Sequence, residues 1–123
     1  MAVVIAYLDD LMFLSRIREA ARAAGVEVKP VRRAADLIAA CREAESPLVL
    51  VDLDSPRLDA AGAVAALRAT AGLPPTPVVG FFSHVHADRA QAALAAGCTQ
   101  VLARSAFVQQ LPALLQSPPS GPQ

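Results

Sequence analysis

Four carboxylates in this chain of 123 residues stand where chemistry tends to collect. Asp52 closes the apolar run 48–51, Asp54 follows it, and Asp9-Asp10 closes a second apolar run over 2–8. A continuous apolar run bounded by turn residues reads as a strand buried on both faces, as in a parallel sheet. An acid at the end of such a strand lies at the carboxyl edge, where open α/β sheets bind their ligands. If the two strands are neighbours, Asp9, Asp10 and Asp52 meet at one rim with Asp54 close by. Two unit charges about 4 Å apart repel by roughly 4 kcal/mol at an effective dielectric near 20. That is a large part of the stability of a small domain, about 5–15 kcal/mol. The cluster must therefore be hydrated, partly protonated, paired with a base or bound to a cation. Two or three carboxylate oxygens with a backbone carbonyl and waters make an octahedral Mg²⁺ site, which makes Asp9, Asp10, Asp52 and Asp54 the expected metal ligands.

The rest of the chain has to hold those acids in place. Helical spacing over 11–24 puts Leu14, Ile17, Ala21 and Ala24 on one stripe, away from Arg16, Glu19 and Arg22, and Gly25 stops it. Residues 26–28 alternate like a short strand, which Pro30 marks as an edge. Helical spacing returns over 34–44 and is broken by Ser46-Pro47. The pattern continues with a helix over 60–71, a rigid turn over 72–77, and a strand over 78–82 with Gly80 inside it. A helix over 87–96 closed by Gly97, a strand over 99–103 and a helix over 106–116 complete it. Pro112 is easiest to place if that last helix starts late or kinks. Five strand-helix alternations imply right-handed crossovers and a parallel sheet covered on both faces. The expected fold is α/β, a flavodoxin-like doubly wound five-stranded parallel sheet in the order 2-1-3-4-5, with the first strand beside the third. One domain over 1–116 is expected, then a Pro/Ser/Gly tail over 117–123, disordered or a linker stump.

Composition narrows the function classes. With 11 basic and 11 acidic residues the net charge is zero, which argues against a nucleic-acid surface. Cys41 and Cys98 have no disulfide or metal spacing and read as reduced, buried thiols. Neither a secretory signal nor a membrane span is visible, so a cytoplasmic location is expected. Neither a G-x-G-x-x-G nor a P-loop lysine motif appears, so nucleotide binding has no sequence support, and Ser15, Ser46 and Ser105 lack a nucleophile-elbow context. His84-Val-His86 has no third ligand and reads as exposed loop histidines, and Asp88 as a first-turn acid favoured by the helix dipole.

The acid pair Asp9-Asp10, Asp52 after the third strand, Pro56 four residues on and Asp59 in the following loop resemble the receiver domain of bacterial response regulators, the CheY-like family, over residues 2–116. The resemblance implies a signal-transduction domain of a two-component phosphorelay. Asp52 would accept a phosphoryl group from a histidine kinase or phosphotransfer protein, with Mg²⁺ in the acidic pocket. It implies no enzyme beyond self-phosphorylation from a phosphodonor and autodephosphorylation. Two positions depart from the family pattern. Receivers end the fourth strand in Thr or Ser, whose hydroxyl contacts the phosphoryl group; here Phe82 holds that position, and Ser83 substitutes only if the loop shifts. They end the fifth strand in Lys-Pro, here Arg104-Ser105. Arginine keeps the charge but changes reach and geometry, and it can bridge Asp52 or Asp54 in bidentate fashion. Val101 replaces the aromatic that often switches position on the fifth strand.

In receivers the hydroxyl and the lysine read the new charge, so a switch lacking the hydroxyl is expected to be weak, rewired or lost. The alternative reading is therefore a phosphorylation-independent pseudo-receiver, a protein-interaction module of the same fold. A third is a metal-dependent phosphohydrolase, for which Asp52-Leu-Asp54 has the spacing but the chain lacks the cap and Thr-containing motif. Receivers usually meet a downstream effector on the face that corresponds here to residues 87–107, which is poor in charge and suits a homodimer as well.

Overall fold

The computed structural model describes residues 3–83 and 86–118. The two apolar runs that end in acids become β1 (Val3–Tyr7) and β3 (Pro47–Asp52), and they pair in parallel from Val3 with Pro47 to Tyr7 with Val51. That register makes both chains leave the sheet at the same rim. β2 (Glu27–Val31) pairs with β1 alone, and this edge position accommodates Pro30 inside the strand. β4 (Val78–Phe82) pairs with β3, with Asp52 level with Phe81, and β5 (Gln100–Ala103) closes the other edge. The order is β2-β1-β3-β4-β5, all parallel, as the alternation of elements predicts.

Side-chain alternation then builds two apolar layers. Val4, Ala6, Leu48, Leu50, Val79 and Phe81 face α1 (Leu11–Ala24) and α5 (Arg104–Gln116). Ile5, Tyr7, Val49, Val51 and Val78 face α2 (Ala34–Glu43), α3 (Ala60–Ala69) and α4 (Ala87–Ala96). Phe82 and Val101 pack at the margin of this second layer. Cys41 and Cys98 are buried within it as free thiols, and burial pushes both up to about 11. Asp10 caps α1 by accepting the Phe13 N–H at 3.0 Å, Asp59 caps α3 through Gly62 N–H, and Gly25 ends α1 at φ +70°. At the opposite rim Arg68 of α3 donates to Thr76 O at 2.7 Å and Gly97 O at 2.9 Å, fixing the entries to β4 and β5.

The last helix differs from the sequence expectation. It starts at Arg104 rather than at 106 and runs through Pro112. Ala103, the last residue of β5, is extended and serves directly as the N-cap, so no loop intervenes. Burial of Phe107, Leu111, Leu114 and Leu115 keeps the helix continuous across the hydrogen bond that Pro112 cannot make. The consequence matters for the site, because Arg104 belongs to the first turn of a helix and turns back over the rim. From residue 119 the expected tail lies outside the described residues. Among the described residues, no helix is long and apolar enough to cross a membrane.

Candidate functional site

Asp52 ends β3 with 2% of its side chain exposed, on the layer of α1 and α5. One of its oxygens accepts the backbone N–H of Asp54 at 2.8 Å and Nη2 of Arg104 at 3.2 Å. The same guanidinium donates through Nε to Asp54 at 2.7 Å and stands 4.0 Å from Asp10 Oδ2. Below it lie aromatic rings: Cζ is 4.6 Å from the centroid of Phe13 and 5.3 Å from that of Phe81. Phe13, Phe81 and Phe107 are themselves stacked. Arg104 thus has three carboxylates on one side and two phenyl faces on the other, a setting that favours a planar, weakly hydrated cation over an ammonium.

Asp54 is the most heavily contacted of the acids. Besides Arg104 it accepts the Ser83 backbone N–H on both oxygens at 2.9 Å, and His86 Nδ1 lies 2.7 Å from Oδ1. Ser83 therefore reaches the site through its main chain, directly after β4, while the Phe82 side chain packs into the opposite layer. Two further arginines take up oxygens at the rim. Arg57 Nε donates to Asp9 Oδ2 at 2.5 Å, and Arg89 of α4 donates to the carbonyl oxygens of Leu53 and Asp54 at 3.1 and 2.9 Å.

Mg²⁺ is the cation that the resemblance to receivers implies, and these residues do not fit it as they stand. The expected ligands Asp10 and Asp52 do converge, but on Arg104. Asp9 is engaged by Arg57, Asp54 by Arg104, Ser83 and His86, and the Asp54 carbonyl by Arg89. Among the described residues no group of three or more His, Cys, Asp or Glu side chains is arranged to hold a metal ion. Asp9 Oδ2, Asp52 Oδ1, both Asp54 carboxylate oxygens and the Asp54 carbonyl already accept from protein donors, so an ion here would compete with them.

Sequence reasoning singles out Asp9, Asp10, Asp52, Asp54, Ser83 and Arg104, and the structure brings all of them to this rim. It misses Arg57, Arg89 and His86. Reading His86 as an exposed bystander is corrected here, since its ring contacts Asp54; His84 lies outside the described residues. The available signal was position alone: Arg57 follows the Pro56 turn, and Arg89 stands three residues beyond His86, one turn into α4.

The electrostatics give the site an acid-side signature. Burial works against the charge on Asp54, but the Ser83 N–H, Arg104 and His86 outweigh it and hold the carboxyl below its ordinary range. Hydrogen bonding by Arg57 holds Asp9 low as well. Asp52 moves the other way: burial raises it, and the Asp54 N–H and Arg104 only partly offset this. Groups whose pKa is depressed by folding stabilise the fold above the unfolded value and lose that contribution as pH falls through the folded value. Asp54 and Asp9 are therefore expected to contribute fully above about pH 4 and to lose their contribution below it. The raised Asp52 opposes stability while ionised, and that cost is relieved as pH falls through its folded value. Urea unfolding measured from neutral pH down to about pH 2 checks this. Asp54→Asn is expected to flatten the acid-side slope, and an unchanged slope would contradict the assignment.

No family model matches the chain, and no curated protein matches it. Solved structures do. A response regulator from Hahella chejuensis aligns at TM-score 0.77 and 21% identity, over 94% of this chain and 93% of that one. A chemotaxis response regulator of Vibrio cholerae aligns at TM-score 0.76 and 22% identity, over 94% and 97%. The receiver domain of a sensor histidine kinase from Pseudomonas aeruginosa, solved with a magnesium ion coordinated in its active-site cleft, aligns at 0.75 and 20%, over 93% of each chain. The chain has the fold of CheY-like response-regulator receiver domains, flavodoxin-like and complete in all five strand-helix units.

Proposed function

We propose that this chain is a signal-transduction receiver module of two-component type that acts as a phosphorylation-independent protein-interaction domain. The observation that carries the reading is the position of Arg104. Its guanidinium places a positive charge among Asp10, Asp52 and Asp54 from within the protein, where a receiver working by phosphate would need a divalent ion. Asp52 is also 2% exposed beneath that guanidinium, which closes the approach that a phosphodonor needs. Phe82 supplies no hydroxyl to read a phosphoryl group. The partner this reading calls for is a downstream effector on the face of residues 87–107, where Leu94 exposes 45% of its surface.

A second reading keeps Asp52 as phospho-acceptor for a histidine kinase or phosphotransfer protein, with Mg²⁺ held by Asp9, Asp10, Asp52 and Asp54. The placement of Asp52 at the end of β3, in the fold of a magnesium-holding Pseudomonas neighbour, favours it. It requires both Arg104 and Arg57 to leave their carboxylates. Intact-mass analysis after incubation with acetyl phosphate and Mg²⁺ separates the two. No phosphoryl adduct is expected on the wild type; an adduct that Asp52→Asn abolishes would overturn the first reading in favour of the second.

A further inference from the structure

We infer that the Asp54 carboxylate is a permanent clasp that fixes the β4–α4 and β5–α5 junctions in one arrangement, so that the face of α4, β5 and α5 is held in a single state without ligand or modification. The clasp rests on contacts alone; its consequence for partner binding rests on the function proposed above.

Asp54 belongs to neither junction. It lies in the loop between β3 and α3, with its own N–H turned onto Asp52 at 2.8 Å, so its carboxylate is anchored to the central strand. From there it reaches both ends of the segment leading into α4. Ser83, directly after β4, donates its main-chain N–H to both oxygens, and His86, the N-cap residue of α4, meets Oδ1 through its ring. The His86 N–H also donates to Ser83 O at 2.9 Å, which links those two contacts directly. Three residues further on, Arg89 ties α4 to the Leu53 and Asp54 carbonyls, so the helix is held from a second side. Arg104, the first residue of α5, takes the remaining direction at 2.7 Å. One anion anchored to the end of the central strand thus organises the starts of two helices that cover opposite faces of the sheet at its β4–β5 side.

Ordinary surface ion pairs would not carry such a role, because water and salt weaken them. The Asp54 side chain is only 14% exposed, and its donors are a main-chain N–H, a ring nitrogen and a guanidinium, the charge-assisted class that is shorter and stronger than neutral pairs. A carboxylate is also a charge that neither transfers nor hydrolyses. The arrangement it supports has no built-in off state.

Amide exchange and ¹H–¹⁵N shifts of the full chain test this. In the wild type the Ser83 amide is expected to be protected relative to an unfolded peptide; exchange at the unfolded rate would overturn the clasp without any variant. Asp54→Asn is nearly isosteric and is expected to speed Ser83 exchange by roughly tenfold or more. It should also shift resonances through 86–90 and 103–107 while leaving β1, β2 and α2 unchanged. Asp36→Asn, a charge loss in the first turn of α2 remote from the clasp, should leave the Ser83 amide as it is. Shifts in Asp54→Asn confined to 52–57, with the Ser83 rate unchanged, would overturn the inference. A phosphoryl adduct on Asp52 would instead overturn the phosphorylation-independent reading and leave the amide result standing.

Discussion

Arg104→Ala is expected to cost the fold about 3 kcal/mol at neutral pH, the range seen when one partner of a largely buried ion pair is removed. The side chain is 29% exposed, so solvent softens the loss, but its partners are not equally accessible. Asp52, 2% exposed in the wild type and raised by burial, would keep only the Asp54 N–H and whatever water enters the vacated space to support its charge. Asp54 and Asp10 would face it with no intervening cation. Phe13 and Phe81 would lose the guanidinium that covers them. Urea unfolding provides the measurement, with Arg104→Ala/Asp52→Asn as the diagnostic partner. Removing one of the stranded charges should restore part of the lost stability. If Arg104→Ala unfolds at the wild-type midpoint, the guanidinium is an incidental surface contact and the account of the site fails.

The parts of the molecule legible in the sequence are those dictated by periodicity and by strand ends. The runs before Asp9-Asp10 and Asp52 fix two central strands, and five alternations leave few ways to arrange the sheet. Asp52 and Asp54 follow from the same logic, because they stand where a strand meets the carboxyl rim, whereas Arg104 is marked only by the resemblance to receivers. What could not be read is which charged group answers which. Arg57 meets Asp9 across 48 positions, and Arg89 meets the main chain of residues 53 and 54 from the body of a helix. Such pairings depend on loop paths and helix rotation, about which apolar spacing is silent. Reading Asp10 as a metal ligand competed with its role as cap of α1, and the structure gives it the cap together with a more distant contact to Arg104. The start of α5 was misplaced because Pro112 argues locally against a helix, whereas a buried stripe of four side chains decides the outcome.

The three arginines bear directly on divalent binding. A carboxylate pocket open to Mg²⁺ gains several ion–oxygen contacts at once; here the same oxygens are held by Arg57, Arg89 and Arg104 from three different segments. Mg²⁺ keeps its waters reluctantly shared and requires near-octahedral oxygen ligands, so displacing two or three guanidinium groups to form one such shell is unfavourable. Arg104→Ala would clear the approach to Asp10, Asp52 and Asp54 and is expected to gain measurable divalent affinity.

A titration of Mg²⁺ into the ¹⁵N-labelled wild-type chain, followed at residues 8–10, 52–55 and 104, tests the internal-cation account most directly. No saturating shift is expected below about 10 mM, whereas Arg104→Ala should saturate with a dissociation constant of about 1 mM or lower, equivalent to about 4 kcal/mol of binding. Saturation of the wild type below about 1 mM, centred on Asp52 and the Asp9-Asp10 pair, would contradict it.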